Sequence, residues 1–255
     1  MKKITACIGA ILVVLGCSAF AFQGMAVRFS HWDEFKNIEH VAVEDISQKN
    51  YDIPDDWQEY SMNGISFTAP SGLEYDENDG CYTDVPSTDE KYRGNANARN
   101  IYIFGGELSQ LGENSFKPLK DLGDAVEGLT TPDELKDLCD WSGREYPQDG
   151  IDFVLLGADL NMDDFNIHSY KNAKTFFEIG DELANWGNLG SVRHYKLNTD
   201  RCKAYVVQTV RKEPLNFDPF ASIRLLDSDG REAHLNVSTG NEEYDMTVIS
   251  TVKLN

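Results

Sequence analysis

Basic residues are scarce in this sequence. Among its 255 residues, 23 Lys and Arg stand against 43 Asp and Glu, which gives a formal net charge of -20 at pH 7. A surface of that charge repels phosphate backbones and anionic lipid head groups. We therefore expect no nucleic acid among the partners, and we expect membrane contact only through the N-terminal segment.

Closely spaced cysteines are absent. Cys7 and Cys17 lie in an N-terminal apolar run, and the others are Cys81, Cys139 and Cys202. No two of them form a C-x-x-C pair, so the sequence supports neither a zinc site nor a thioredoxin-like redox site. The last three leave two alternatives open, namely one disulfide with one thiol left over, or three free thiols. We predict Cys139 as a small buried side chain on a helix face.

Motifs for common catalytic sites are also missing. The sequence has no G-x-S-x-G elbow, no Gly-rich phosphate loop before a helix and no H-x-x-x-H pair. We therefore predict no catalytic residue, no cofactor and no metal site. Five histidines are scattered along the chain: His31, His40, His168, His194 and His234. The last two fall in predicted strands, where we expect them to be cross-strand partners at the surface.

Two acidic segments resemble parts of calcium-binding loops. In residues 159–164 (DLNMDD) oxygen-bearing side chains alternate, but the sixth position is Asp164 instead of Gly and the twelfth is Tyr170 instead of Glu. We therefore interpret Asn161–Asp164 as a helix cap. The segment Asp227–Gly230 (DSDG) predicts a tight turn between two strands.

The N-terminus carries the features of an export signal. Lys2 and Lys3 precede residues 4–22, which contain no charge. A Sec signal or a membrane anchor begins in this way. Because Ala19 and Ala21 supply the small residues that signal peptidase requires, we predict residues 1–21 as a signal peptide cleaved after Ala21.

Two other fates of this segment stay open. Val14-Leu15-Gly16-Cys17 resembles a bacterial lipobox, so lipidation of Cys17 is the second alternative, although Leu15 is bulky for its position and no polar spacer follows. An uncleaved anchor is the third, because about 20 apolar residues span a bilayer. All three alternatives place residues 30–255 outside the cytoplasm.

Residues 22–56 and 57–255 differ in pattern. The first range is polar and mixed in period, and we predict a connecting segment with a short helix at Asp33–His40 that cannot continue through Pro54. From Trp57 onward the sequence predicts a single α+β domain.

A hairpin begins that domain. Asn63-Gly64 supplies the positive φ angles of a two-residue turn. In Ile65–Pro70 (ISFTAP) apolar and polar residues alternate, so we expect Ile65, Phe67 and Ala69 on a buried face and Pro70 at the strand's end. Residues 71–90 hold seven acids and no base, which predicts an exposed loop. For Glu74–Glu90 we favour solvated disorder over weak cation binding.

The middle of the chain predicts helices. A strand at residues 100–104 is expected to stop at Gly105-Gly106. Helical spacing then recurs at residues 119–129, and Thr131-Pro-Asp-Glu134 is a capping box with Pro in the first turn. Residues 150–156 (GIDFVLL) fit a strand or the start of a helix. A further helix is predicted from Ser169.

The last third predicts a meander and a closing helix. Two hairpins are expected, one joining Val192–Leu197 to Ala204–Val210 and one joining Ala221–Leu226 to Glu232–Val237. A helix after Gly240 is expected to face the sheet through its apolar residues, among them Val248, Ile249 and Val252. Hairpins dominate and no regular βαβ series is present, so we predict an α+β fold, an antiparallel β-sheet covered by helices.

Two stretches of this domain resemble a known family. Gly64–Tyr75 (GISFTAPSGLEY) looks like the opening of PsbP-like domains and of related small bacterial lipoproteins of unknown function. The hairpin SIRLLDSDGREAHLNV and the helix ending VISTVKL resemble that family's closing elements. The resemblance implies a PsbP-like α/β/α sandwich and a non-enzymatic, extracytoplasmic accessory role. It supplies no catalytic residue, and residues 76–190 match nothing in it.

Three hypotheses for function follow. The first is an extracytoplasmic accessory or binding module, whose partner is an envelope protein or a small ligand. The second is an exported hydrolase, which requires two carboxylates, or a His and a nucleophile, in one pocket with shifted pKa values. The third is an envelope structural or assembly protein with an exposed apolar patch. The cluster Trp141–Tyr146 (WSGREY) is expected either to line a groove or to cap a helix.

Overall fold

We describe a computed structural model of the chain. The described residues are 42–93, 98–111, 119–127, 130–160, 191–210 and 220–255. Cys17 and the cleavage position after Ala21 lie outside them, as do the predicted helix at Asp33–His40, the cap at Asn161–Asp164 and the helix from Ser169.

Two sheets and five helices make up the described part of the chain. The strands are β1 (Val43–Asp45), β2 (Trp57–Met62), β3 (Ile65–Pro70), β4 (Glu74–Asp76), β5 (Cys81–Thr83), β6 (Tyr102–Glu107), β7 (Ser191–Asn198), β8 (Cys202–Val210), β9 (Phe220–Asp227), β10 (Glu232–Ser238) and β11 (Lys253–Leu254). The helices are α1 (Leu108–Leu111), α2 (Leu122–Val126), α3 (Pro132–Ser142), α4 (Gly150–Asp159) and α5 (Glu242–Ser250).

The larger sheet has eight strands in the order β1-β7-β8-β9-β10-β6-β5-β4, and the smaller has three in the order β11-β3-β2. All neighbours pair antiparallel except β1 and β7, which are parallel. The mixed α and β class and the mostly antiparallel sheet are as predicted, and both hairpins of the last third are confirmed.

Strand β1 lies in the segment that the sequence analysis assigns as a connection. Val43 pairs with His194, and Ile46 just beyond the strand is 3 % exposed. The sheet therefore starts before residue 57. Three residues of pairing carry too weak a periodic pattern to be recognised in the sequence.

The β2–β3 hairpin turns at Asn63-Gly64, as predicted, with φ angles of 44° and 81°. Ile65, Phe67 and Ala69 are buried and β3 ends at Pro70, also as predicted. Ser66 is buried as well, because β11 pairs with β3 at that residue.

The glycine pair of β6 does not end the strand, contrary to the prediction. β6 continues through Gly105 and Gly106, which have φ angles of 148° and 153°. A Cβ on Gly106 would lie 2.3 Å from Asn63 Cβ, and one on Gly105 would lie 2.1 Å from the His234 carbonyl oxygen. The Asn63 carbonyl accepts from Glu107 N–H at 2.7 Å, so these glycines join the two sheets.

The larger sheet is covered on both faces. On the first face, α5 and the β2–β3 hairpin pack on apolar residues of β7 to β10, such as Val206, Ile223 and Leu235. On the second face, α4 packs through Ile151 and Ala158 against a smaller apolar cluster. The predicted apolar residues of the closing helix, Val248 and Ile249, are in the core, while Val252 lies beyond the end of α5.

Capping residues determine where helices α3 and α4 begin. α3 has the predicted capping box, in which Thr131 Oγ1 accepts from Glu134 N–H and Glu134 accepts from Thr131 N–H. Residues 150–156 form α4, so the helix alternative holds. Asp149 is the N-cap of α4 and accepts from Asp152 N–H at 2.9 Å.

Residues 71–90 are not an exposed loop, contrary to the prediction. They contain β4 and β5, and the side chain of Asp76 is only 2 % exposed. Arg99 binds Asp76 at 2.5 Å and Asp79 at 2.7 Å, and its guanidinium lies 4.3 Å from the Tyr92 ring centroid. An arginine from outside the segment thus neutralises two of its seven acids, which a count of local charge could not show.

We expect Arg99→Ala to lower the free energy of unfolding by about 3–5 kcal/mol, because it leaves the buried Asp76 carboxylate without its cation. Arg93→Ala is the matched control. Arg93 is exposed and lies 3.9 Å from Glu90, so its loss should cost about 0.5 kcal/mol or less. Urea unfolding at pH 7 measures both, and equal losses would rule out the structural role of Arg99.

Helix α5 carries a buried acid. Asp245 is fully buried, and its Oδ1 accepts from Thr239 N–H at 2.7 Å and from Thr239 Oγ1 at 2.8 Å. Its Oδ2 has no partner among the described residues. Burial raises the pKa of Asp245 from 3.8 to about 7, despite the bonds from Thr239.

This shift predicts a pH dependence of stability. Between pH 4 and 7 the folded chain keeps a proton that the unfolded chain releases, so Asp245 destabilises the fold as pH rises. From pH 4 to 8, Asp245→Asn should become more stable relative to the unchanged chain by on the order of 3 kcal/mol. Chemical unfolding at several pH values tests this, with Asp137→Asn on the exposed side of α3 as control. A constant difference at all pH values would contradict it.

Candidate ligand-binding site

Two hairpin turns lie side by side at one end of the larger sheet. The β7–β8 turn carries Arg201, whose carbonyl accepts from Ser228 N–H of the β9–β10 turn at 3.0 Å. Within the second turn, Asp227 Oδ1 accepts from Asp229 N–H and Arg231 N–H, each at 2.9 Å. The prediction of a tight turn here is confirmed, and its carboxylate is used by the turn itself.

A cavity of about 480 Å³ opens at this end on the first face of the sheet. We call it the basic cavity. One wall is the segment 46–51, the other is the C-terminal segment 249–254, and the ends of β7, β8 and β9 form the floor. Its lining consists of Ile46, Ser47, Lys49, Tyr51, Leu197, Thr199, Arg201, Cys202, Leu225, Asp227, Ser228, Asp229, Arg231, Ile249, Ser250, Val252, Lys253 and Leu254.

Backbone hydrogen bonds fix both walls. Ile46 N–H donates to the Lys196 carbonyl at 3.0 Å, and Asn198 N–H donates to Ser47 Oγ at 2.9 Å. On the opposite wall, Lys253 pairs with Ser66 of β3. The cavity is therefore formed by paired strands and anchored segments, which suits a preformed ligand site.

The charge of this lining is opposite to that of the whole chain. It contains four basic residues and two acids, whereas acids outnumber bases 43 to 23 in the sequence. Arg231 is bound to Asp227, with Nε and Nη2 at 2.9 Å and 2.8 Å from Oδ2. Lys49, Arg201 and Lys253 are exposed and form no ion pair with any described residue.

Tyr51 adds an aromatic wall. Lys49 Nζ lies 5.3 Å from its ring centroid. Burial raises the pKa of Tyr51 to about 12, and neighbouring Tyr195 and Glu44 contribute. The hydroxyl is buried and has no hydrogen-bond partner among the described residues. The ring and the Lys49 side chain thus form one side of the cavity.

A larger groove of about 720 Å³ lies on the second face, between α4 and the strands β1, β7 and β8. We call it the neutral groove, because its charged residues balance: Arg144, Lys196 and Lys203 against Glu145, Asp152 and Asp159. The cluster Trp141–Tyr146 has both roles expected of it, namely capping a helix and lining a groove. Gly143, with φ of 71°, caps α3, and residues 144–146 line the groove.

The cations of the neutral groove are committed to acids. Lys203 Nζ lies 2.8 Å from Asp149 and 2.9 Å from Asp152, and Arg144 is bonded to Asp159. Asp159 is the first residue of the segment that resembles a calcium loop. Its carboxylate is neutralised by Arg144. Because its cations are paired in this way, we expect the neutral groove to attract anions less than the basic cavity does.

His194 and His234 are buried, not at the surface as predicted. His194 is 2 % exposed and its Nδ1 lies 2.6 Å from Tyr205 Oη. His234 is 5 % exposed and its Nε2 lies 3.0 Å from Ser222 Oγ. Both are cross-strand partners, as expected, but the second face of this sheet is covered at its centre. An alternating pattern cannot distinguish a solvated polar face from a buried one.

In the contact between Ser222 and His234, a potential nucleophile lies within hydrogen-bond distance of a potential general base. Burial, together with the positive charge of Arg224, lowers the pKa of His234 to about 4, so its imidazole is neutral at pH 7. Neither residue lines the basic cavity or the neutral groove. The contact alone therefore supplies no route for a substrate through the described residues.

Cys81, Cys139 and Cys202 are free thiols, so the disulfide alternative is not realised in this structure. Cys139 is buried on the inner side of α3, as predicted. Burial raises the pKa of Cys81 to about 11 and also raises the pKa of Cys139. Cys202 is half-buried and lines the basic cavity.

In the described ranges, no set of three or more His, Cys, Asp or Glu side chains is arranged to hold a metal ion. Within the same ranges, every helix is too short or too polar to traverse a bilayer. Comparison of the chain with known protein families, curated proteins and solved structures finds no match.

No local pattern in the sequence predicts the basic cavity. Its cations Lys49, Arg201, Arg231 and Lys253 are far apart in the chain and none belongs to a motif. The available signal was their position beside turns and at the chain's last strand, in a sequence poor in bases. Only strand pairing shows that these positions meet.

We expect Cys202 to be the most reactive of the three described thiols. In the native chain a small maleimide should label Cys202 at least tenfold faster than Cys81 or Cys139, because Cys202 is only half-buried whereas burial shields the other two thiols and raises their pKa. Peptide mass mapping after brief labelling measures this, and denatured protein, in which all three react, is the control. Preferential labelling of Cys81 would contradict the packing of β5.

Proposed function

We propose that this protein is an extracytoplasmic accessory module that binds a small anionic ligand in the basic cavity. The observation that carries the proposal is the reversal of charge in that cavity. Lys49, Arg201 and Lys253 stand there without an acid partner among the described residues, in a chain of net charge -20. Unpaired cations at the rim of a preformed concave site favour anion binding.

The extracytoplasmic part of the proposal is supported by the sequence of residues 1–21. Lys2 and Lys3, the uncharged run of residues 4–22 and the small residues Ala19 and Ala21 are typical of exported chains. Cleavage after Ala21, lipidation of Cys17 and an uncleaved anchor all agree with this compartment. Mass spectrometry of the N-terminus of chain recovered from cells distinguishes these three fates, and full-length chain in washed cytosol would refute the compartment.

We also propose a distant relationship with PsbP-like domains. The support is the opening hairpin β2–β3 and helix α5, which pack together on one face of the larger sheet, and the closing hairpin β9–β10, which lies within that sheet. In that family a non-enzymatic accessory role is common, which agrees with a binding module.

An exported hydrolase is the second candidate, because Ser222 Oγ lies 3.0 Å from a neutral His234. A fluorophosphonate probe labels serines activated by such a base. Labelling that is lost in Ser222→Ala would favour the hydrolase. We expect no labelling, since both residues are buried.

Anion binding by the basic cavity is tested by removing its unpaired charges. We expect inorganic phosphate at millimolar concentration to raise the melting temperature of the purified chain. In the variant Lys49→Gln/Arg201→Gln/Lys253→Gln this increase should be lost, because no cation is left free to hold the anion. Phosphate titration followed by thermal unfolding, at constant ionic strength with chloride, is the measurement.

Lys91→Gln provides the matched control, since Lys91 is exposed and does not line the cavity. It should leave the phosphate effect unchanged. The proposal fails if phosphate stabilises the triple variant as much as the unchanged chain.

A further inference from the structure

We infer that the ligand of the basic cavity is an amphipathic anion, an apolar chain that ends in a carboxylate or a phosphate ester. This inference rests on the proposed function and specifies its ligand. It follows from the distribution of charge and apolar surface within one cavity.

The two kinds of lining residue lie at different depths. The unpaired cations Lys49, Arg201 and Lys253 are exposed and therefore lie at the mouth. Ile46, Leu225 and Ile249 also line the cavity but are 3 %, 2 % and 1 % exposed, as parts of the core on the first face of the sheet. A ligand that matches this arrangement has its charged group at the mouth of the cavity and its apolar part in the interior.

Half-buried residues connect the mouth to the interior. Leu197, Val252 and Leu254 line the cavity and pack against the core from its edge. These three side chains and the Tyr51 ring, which we call the apolar path, thus line the same cavity as the cations. A simple inorganic anion would leave this path in contact with water, whereas an apolar chain would bury it.

Other anions fit the cavity less well. A nucleic acid or another polyanion needs many cations, but only three in the lining are unpaired and the whole chain is strongly acidic. The flat surface of an anionic membrane cannot enter a cavity of about 480 Å³. That volume lies in the range typical of small-molecule sites.

A series of straight-chain carboxylates tests the inference directly. Acetate, butanoate, hexanoate and octanoate present the same charge with a growing apolar chain. We expect affinity to rise roughly two- to fourfold for each methylene that enters the cavity. Calorimetric titration of the purified chain below the micelle concentration measures this. Octyl phosphate should bind at least as well as octanoate, and 1-octanol at least tenfold more weakly.

Two variants separate the roles of charge and apolar surface. Lys253→Gln should weaken acetate and octanoate by a similar factor, about three- to tenfold, because it removes part of the anion site. Val252→Thr keeps the side-chain shape but adds a hydroxyl to the apolar path. It should weaken octanoate about threefold or more and leave acetate unchanged. Lys91→Gln should change neither, and thermal unfolding confirms that each variant is folded.

The outcomes distinguish this inference from the proposed function. If phosphate and all carboxylates bind with equal affinity and still depend on Lys253, the cavity is an anion site and the amphipathic ligand is wrong. If no anion shows a dependence on Lys253, the proposed function itself is wrong. Binding to phosphatidylglycerol vesicles that requires Lys253, without binding of octanoate, would assign the cations to a membrane surface and overturn the inference.

Discussion

Close contact between the β2–β3 turn and the glycine pair of β6 is the constraint on which the rest of the structure depends. Asn63 can approach β6 only because Gly106 has no side chain. This contact fixes the hairpin on the first face of the larger sheet, and β3 in turn pairs with β11. Since β11 carries Lys253 and forms one wall of the basic cavity, the site depends on a packing contact at the turn that directly precedes the residues of β3 paired with β11.

Charged side chains have two kinds of environment in this fold. Most buried or half-buried ions are neutralised by a partner from elsewhere in the chain, as Arg99 neutralises Asp76 and Lys203 neutralises Asp152. The basic cavity is different because three of its cations are exposed and have no acid partner in the described part of the chain. Long-range repulsion by an acidic surface slows the approach of any anion. Burial of an apolar chain adds binding free energy that offsets this repulsion. A small inorganic anion lacks that contribution.

Features set by neighbouring residues were predictable from the sequence, and those set by distant pairing were not. The Asn63-Gly64 turn, the capping box at Thr131 and the turn at Asp227–Gly230 each contain their own signal within a few residues. The burial of His194 and His234, the neutralisation of the acidic segment and the basic cavity each require elements far apart in the chain. Amphipathic alternation predicted the strands of the last third but could not say that the second face is covered too.

The parallel pairing of β1 has a consequence for the order of assembly. β1 is the first of the described strands in the chain, and its one neighbour among them is β7, which lies more than half the chain later. Contacts of such long sequence separation form slowly. The segment that links β1 to the cavity wall at Ile46 therefore cannot dock until most of the polypeptide has emerged, so the edge of the sheet closes late and a competent cavity exists only in the finished molecule.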